Sequence, residues 1–169
     1  MCGITGTPGT GKSSVADELA LRGYPVVSLA ETVKDYVVGE DSERDTRIID
    51  EDRWAWEFTP VEGLVEGHLA HLLPCDRVVV LRCRPDILLD RLRSRGYREE
   101  KCRENAEAEA LDVCLIETLE SHPPEHVLEL DTTGIPPAGV ADIIEDFLRG
   151  RIPPSHGRID WSDYLREVV

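Results

Sequence analysis

A chain of 169 residues with 34 acidic side chains against 19 Lys and Arg, a formal charge of −15, offers no extended basic face for broad DNA or RNA binding. Its length suits one domain with a substantial core, its 41% apolar content argues against disorder, and no apolar run approaches the ~20 residues of a membrane span. Lysine is confined to Lys12, Lys34 and Lys101, and an acid-rich, lysine-poor surface of this kind is one that high salt relieves of self-repulsion.

The chain begins with a short apolar strand, Met1 to Thr5, and passes at once into Gly6-Thr7-Pro8-Gly9-Thr10-Gly11-Lys12-Ser13, which satisfies G-x-x-x-x-G-K-[ST] at every fixed position. Such a loop brings consecutive backbone N–H groups close to phosphate oxygens, and the positive end of the following helix adds to the attraction. Gly9, Thr10, Gly11, Lys12, Ser13 and Ser14 are the expected phosphate contacts, with Lys12 on the β- and γ-phosphates and the Ser13 hydroxyl on Mg²⁺. No signal or transit peptide precedes the loop, so the chain reads as intracellular and cytoplasmic.

A helix is expected from Lys12 to Arg22, ended by Gly23, then a strand from Tyr24 to Leu29 and a short helical stretch from Ala30 to Val37. Gly39 to Arg47 reads as polar and mobile, and Asp50 opens an acid-capped helix that Thr59-Pro60 stops. Gly63 to His68 forms a third strand ending in polar groups. Asp76 to Cys83, with Val78, Val79 and Val80 in a row, is the clearest buried strand. Helices follow at Pro85–Arg95 and, as one longer element, Glu99–Leu119. His126 to Asp131 is the last strand and Pro136 to Leu148 the last long helix. The tail from Gly150 leaves the periodic pattern, with Trp161, Tyr164 and Leu165 available to dock it. Strands alternating with helices predict an α/β fold with a parallel five-stranded sheet flanked by helices, its ligands at the carboxyl ends of the strands.

Five cysteines without a C-x-x-C pair indicate neither a disulfide framework nor a zinc site and read as buried thiols, Cys2 being the one beside the nucleotide loop where oxidation could register. The chain is too short for a helicase or motor and lacks the guanine-reading N-K-x-D tetrad. Arg91 and Arg95, four apart on one helix face, are placed to clamp phosphates as a lid closes.

The loop, the D-E-D-R run at Asp50 to Arg53, V-E-G-H at Val65 to His68, and R-L-R-S-R-G-Y-R-E-E-K with Asn105 and Glu109 after it resemble the adenylate kinase isoenzyme 6 (coilin-interacting nuclear ATPase) family, over most of the chain from Gly6 to Leu148. The resemblance implies a nucleoside-monophosphate-kinase fold, with residues 30–60 as the monophosphate-binding segment and residues 96–105 as a small lid. It further implies Mg²⁺-dependent ATPase and adenylate kinase activity, AMP or another small molecule as acceptor, and small ribosomal subunit maturation with a ribosomal protein partner. On it, Lys12, Arg91 and Arg95 tend the transferring phosphoryl group, while Glu66 (reaching Mg²⁺ through water) and His68 tend the metal or the nucleophile. Glu66 stands where the family has Asp, and Thr32 where it has an arginine facing the monophosphate. Among Arg44, Arg47 and Arg53, the last is the first candidate for a substitute because it ends the D-E-D-R run, and a salt-bridged helix residue is the alternative reading of it.

Overall fold

A computed structural model describes residues 1–41 and 46–167. In chain order the elements are β1 (Cys2–Thr5), α1 (Lys12–Leu21), β2 (Val26–Ser28), α2 (Leu29–Thr32), β3 (Val37–Asp41), β4 (Thr46–Ile49), α3 (Glu51–Glu57), β5 (Leu64–Glu66), β6 (Arg77–Arg82), α4 (Pro85–Ser94), α5 (Glu99–Ala110), α6 (Val113–Ser121), β7 (Val127–Asp131), α7 (Pro137–Leu148) and α8 (Ser162–Glu167). Five strands pair in parallel in the order β2-β5-β1-β6-β7, as the alternation of strands and helices predicts.

The central strands are apolar on both faces, and their period of two sends alternate residues into two cores. Cys2, Ile4, Leu64, Val79 and Leu81 meet Val15 and Leu19 of α1 and Val140, Ala141, Ile144 and Phe147 of α7 on one side. Val65, Val78 and Val80 meet Trp54 of α3 and Cys114 and Leu115 of α6 on the other. Each such side chain contributes roughly 1.5–3 kcal/mol by leaving water. A smaller cluster of Cys83, Leu88, Leu92 and Cys102 ties α4 to α5.

The structure corrects three expectations. The predicted helix from Ala30 to Val37 is helical only as α2, followed by a 3-10 turn at Lys34–Tyr36. The stretch read as polar and mobile overlaps β3 and β4, an antiparallel pair with Val37 opposite Ile49 and Gly39 opposite Ile48; Arg44 lies outside the described residues. The β-branched Val37, Val38, Ile48 and Ile49 favour this pairing, which the intervening acidic run concealed. The single helix expected from Glu99 to Leu119 is two, because Asp112 turns left-handed at φ 58° between α5 and α6 and its carboxylate pairs with Arg82. An aspartate tolerates that conformation better than most residues, and here an ion pair holds it.

Beyond α7 the chain returns to the sheet. Glu129 N donates to Ser155 O at 2.7 Å and Ser155 N to Val127 O at 3.2 Å, so Ser155 lies parallel beside β7. Trp161, Tyr164 and Leu165 are half-buried, and α8 packs against α5.

Candidate active site

The phosphate loop joins β1 to α1 at the carboxyl end of the sheet, and its shape is set by contacts that its sequence makes possible. Gly6 has φ +141°, and a Cβ there would lie 2.3 Å from the Leu81 carbonyl oxygen on the neighbouring strand. Thr10 donates to the Thr7 carbonyl from both its backbone N (3.2 Å) and its hydroxyl (2.9 Å), closing the loop on itself. From the end of β7 the Thr132 hydroxyl reaches the carbonyls of Thr10 and Arg82, each at 2.8 Å, and pins the loop to the sheet.

Lys12 is buried and lies back over the loop, its ammonium donating to Gly6 O at 2.8 Å and Thr7 O at 3.1 Å. Burial pulls its pKa down to about 8, and Arg95 pushes the same way while Cys114, Glu66 and Glu109 oppose. A desolvated ammonium whose partners are only carbonyl oxygens is poised for a phosphate, which supplies the missing negative charge. Ser13 and Ser14 are exposed on the first turn of α1.

Glu66 ends β5, is buried, and accepts a 2.7 Å hydrogen bond from Ser28 at the end of β2. The parallel register puts Ser28 directly opposite Glu66. His68 reaches solvent on one side, and its Nδ1 sits 3.2 Å from Gly6 O. A carbonyl only accepts, so Nδ1 carries the proton and Nε2 of the neutral ring keeps its lone pair. Protein crowded around the ring lowers its pKa, with the Lys12 ammonium adding to the effect.

Two cavities flank the loop. One, of about 300 Å³, is bounded by Gly9, Thr10, Gly11, Arg91, Arg95 and Ile135 among others. The second, of about 500 Å³, is lined by Lys12, Ser13, Glu66 and His68 together with Arg47 and Tyr97. Gly9 and Arg95 belong to both. Arg91 on α4 directs Nη1 to Gly9 O at 3.3 Å, and Arg95 follows one turn later as the residue capping that helix. Lys12, Ser13, Glu66, His68 and Arg95 thus line the second cavity, and Arg91 with Arg95 the first.

Arg53 does not line the cleft; its Nε donates to Glu57 at 2.9 Å and its guanidinium lies 5.5 Å over the Tyr36 ring. Arg47 on β4 lines the second cavity instead. Thr32 is engaged elsewhere, donating to Leu29 O at 2.9 Å and accepting from the buried Trp54 indole at 3.1 Å. Lys34 pairs with Glu31 on the surface. Cys2 is buried, which pushes its thiol up to about 12 and away from the reactive thiolate that oxidation requires. Ser28 and Thr132 are not legible in the sequence as site residues, because only strand pairing brings them to the loop.

Residues 2–112 match the family described as the AAA domain. The chain is 47% identical over 167 residues to a Methanothermobacter thermautotrophicus protein named "Putative adenylate kinase", covering 96% of this chain and 97% of that one. A Natronomonas pharaonis protein of the same name is 44% identical over 165 residues, covering 96% and 98% respectively. Among solved structures, a sugar kinase from Janibacter sp. superposes with a TM-score of 0.54 at 16% identity, over 88% of this chain and 93% of that one, which speaks for the fold alone. No helix among the described residues is long and apolar enough to cross a membrane. With its five-stranded parallel sheet, its phosphate loop and these relatives, the chain belongs to the adenylate-kinase-like family of P-loop enzymes.

Proposed function

We propose that the protein is a cytoplasmic ATP-dependent phosphotransferase of the adenylate kinase type, converting ATP and AMP to two ADP, with an intrinsic ATPase activity. The observation that supports this reading is the pair of cavities meeting at the phosphate loop, with Gly9 and Arg95 common to both. ATP bound from the first cavity leaves its γ-phosphoryl group over the loop, and a monophosphate in the second brings a phosphate oxygen up to it. That oxygen bonds to the γ-phosphorus as the bond to the β–γ bridging oxygen breaks, and an ADP forms on each side. Lys12, Arg91 and Arg95 meet the charge on the transferring oxygens, and such positioning and electrostatics supply most of the catalysis in phosphoryl transfer.

Ser13 and Glu66 both open on the second cavity and offer the hard oxygen donors that Mg²⁺ takes, Glu66 through water. Mg²⁺ held there supplies positive charge to the phosphates. Ser28 keeps the Glu66 carboxylate turned to the cleft, which suits a side chain one methylene longer than aspartate. Residues 30–60 serve as the monophosphate-binding segment and residues 96–105 as the lid, with Tyr97 already on the cavity wall. Arg47 takes the acceptor phosphate, because it lines the second cavity and Arg53 does not.

Hydrolysis is favoured by one further observation. His68 has Nε2 free to accept a proton, and it lies in the cavity from which water would attack. With Thr32 bonded to Trp54, the acceptor site lacks the usual arginine, so AMP should be accepted weakly and hydrolysis should be a comparable or larger share of turnover. The test is ADP formation with and without saturating AMP. Arg47→Ala should remove the AMP-dependent share at least tenfold and spare AMP-free hydrolysis, whereas strong AMP-dependent turnover untouched by Arg47→Ala would show the acceptor site to be elsewhere. An assembly ATPase of the small ribosomal subunit, the alternative that the resemblance implies, would instead show AMP-independent turnover stimulated by a basic ribosomal protein.

A further inference from the structure

At the carboxyl end of β6, Arg82 is 1% exposed and surrounded by three carboxylates. Its Nε donates to Glu109 Oε1 at 2.7 Å and its Nη2 to the Glu109 carbonyl at 2.8 Å; the remaining contacts run to Asp112 and Glu129. Glu109, equally buried, also accepts Cys83 N at 3.0 Å. Its other carboxylate oxygen accepts the hydroxyl of Thr7, in the phosphate loop. At the far end of the cluster Glu129 Oε2 accepts the backbone N–H groups of Gly157 (2.8 Å) and Arg158 (3.3 Å) in the C-terminal segment. One continuous polar path therefore runs from the C-terminal segment through the sheet to the loop. A buried ion cluster contributes little more to stability than apolar side chains of the same size, so stability alone does not account for it.

We propose that Glu109 is a positioning residue for phosphoryl transfer, acting through the Thr7 hydroxyl, and that Arg82 and Glu129 hold it in place from the docked C-terminal segment. The proposal rests on the loop being the ATP site, and it assigns a task to residues outside the cleft. The Thr7 carbonyl is the shared acceptor for Lys12 and for both Thr10 donors. When a phosphate draws the Lys12 ammonium away, the loop loses part of what folds it. The side-chain anchor on Glu109 is independent of Lys12 and keeps the loop N–H groups aimed at the phosphates. Glu109 suits this because its two oxygens do different things: Oε1 is fixed by Arg82 and Cys83, which leaves Oε2 rigidly presented to Thr7.

The test compares Thr7→Val, which is isosteric and removes only the hydroxyl, with Thr7→Ser, which restores it, in the full chain, with Lys12→Ala as control. Steady-state ATP consumption and thermal melting are measured for each. Thr7→Val should lower kcat about tenfold, as expected when reacting groups shift by a fraction of an ångström, with KM for ATP changed by less than about threefold, and Thr7→Ser should recover to within about twofold. Glu129→Gln, which touches no part of the loop, should lower kcat as well, and by less than the product of the single effects when combined with Thr7→Val. If Thr7→Val melts earlier but turns over at the wild-type rate while Lys12→Ala is inactive, the contact is structural and the positioning role is overturned. Failure of Thr7→Ser to recover overturns it too, and full additivity with Glu129→Gln overturns the share given to the C-terminal segment. An active Lys12→Ala would instead overturn the ATP site beneath it.

Discussion

His71 makes a prediction whose sign depends on which of two opposed effects is larger. It lies behind the phosphate loop, 1% exposed, with Nδ1 at 3.0 Å from the Thr5 hydroxyl and Nε2 at 3.2 Å from Glu117 on α6. In the neutral ring Nε2 donates to the Glu117 carboxylate, which only accepts, and Nδ1 keeps its lone pair toward the Thr5 hydroxyl, itself 2.9 Å from His68 O. Burial disfavours the imidazolium, as does the neighbouring His122, bonded to His71 O at 2.8 Å, while the hydrogen bond to the His68 backbone favours it, and so does the adjacent Glu117 carboxylate. Glu117 is half exposed, so water weakens its attraction, and burial prevails, pulling the pKa from 6.5 down to about 4. A histidine held below its unfolded value makes the unfolded state the better proton acceptor. Stability is then full above pH 6.5, falls as pH drops toward 4, and is lost no further below that. The gap corresponds to about 3 kcal/mol in all, of which about 2 kcal/mol is gone by pH 5. Urea unfolding across this range measures it, and subtracting the profile of His71→Gln isolates it from the carboxylates. If wild type gained stability relative to that variant between pH 7 and 5, Glu117 would outweigh burial and the reasoning would fail.

Gly6→Ala should abolish ATP turnover and cost about 3 kcal/mol or more, because the new methyl would lie 2.3 Å from a backbone carbonyl, whereas Gly11→Ala meets open space and should cost about 1–2 kcal/mol for its positive φ alone. Melting curves of the two variants decide between space and strain; equal losses would refute the distinction. Arg91→Ala should lower kcat more than it raises KM for ATP, since its charge matters most as charge moves, and a pure KM effect would make it a plain binding contact. With a charge of −15, the melting temperature should rise between 0.1 and ~1 M KCl, where the Debye length falls to about 3 Å, and a flat or falling curve would contradict the screening argument.

The sequence showed the parts of this protein that depend on local chemistry. The glycine spacing announces the loop, Val78 to Val80 the buried strand, and Arg91 with Arg95 a shared helix face. What it hid depends on who sits opposite whom. Arg53 follows an acidic run that makes it look available, yet Glu57 one helical turn on captures it. Arg47 looks like one of several loop arginines until β3 and β4 pair and set it on the cavity wall. The helix break at Asp112 follows from Arg82, thirty positions earlier, and no periodicity in the 99–119 stretch records that. Likewise Thr32 reads as a lost binding residue, and only packing shows its hydroxyl capping the indole of Trp54.

The segment lying beside β7 also bears on how molecules of this protein avoid one another. An open parallel sheet ends in two strands whose outer N–H and C=O groups can template a neighbour. At one end β2 is only three residues long. At the other, Ser155 occupies the outward N–H of Glu129 and the outward carbonyl of Val127. The chain uses its own last stretch as a cover for its longer sheet edge. Removing it would open β7 to pairing between molecules, and it would also strip the Glu129 carboxylate of two backbone donors and take Ile152 from the core.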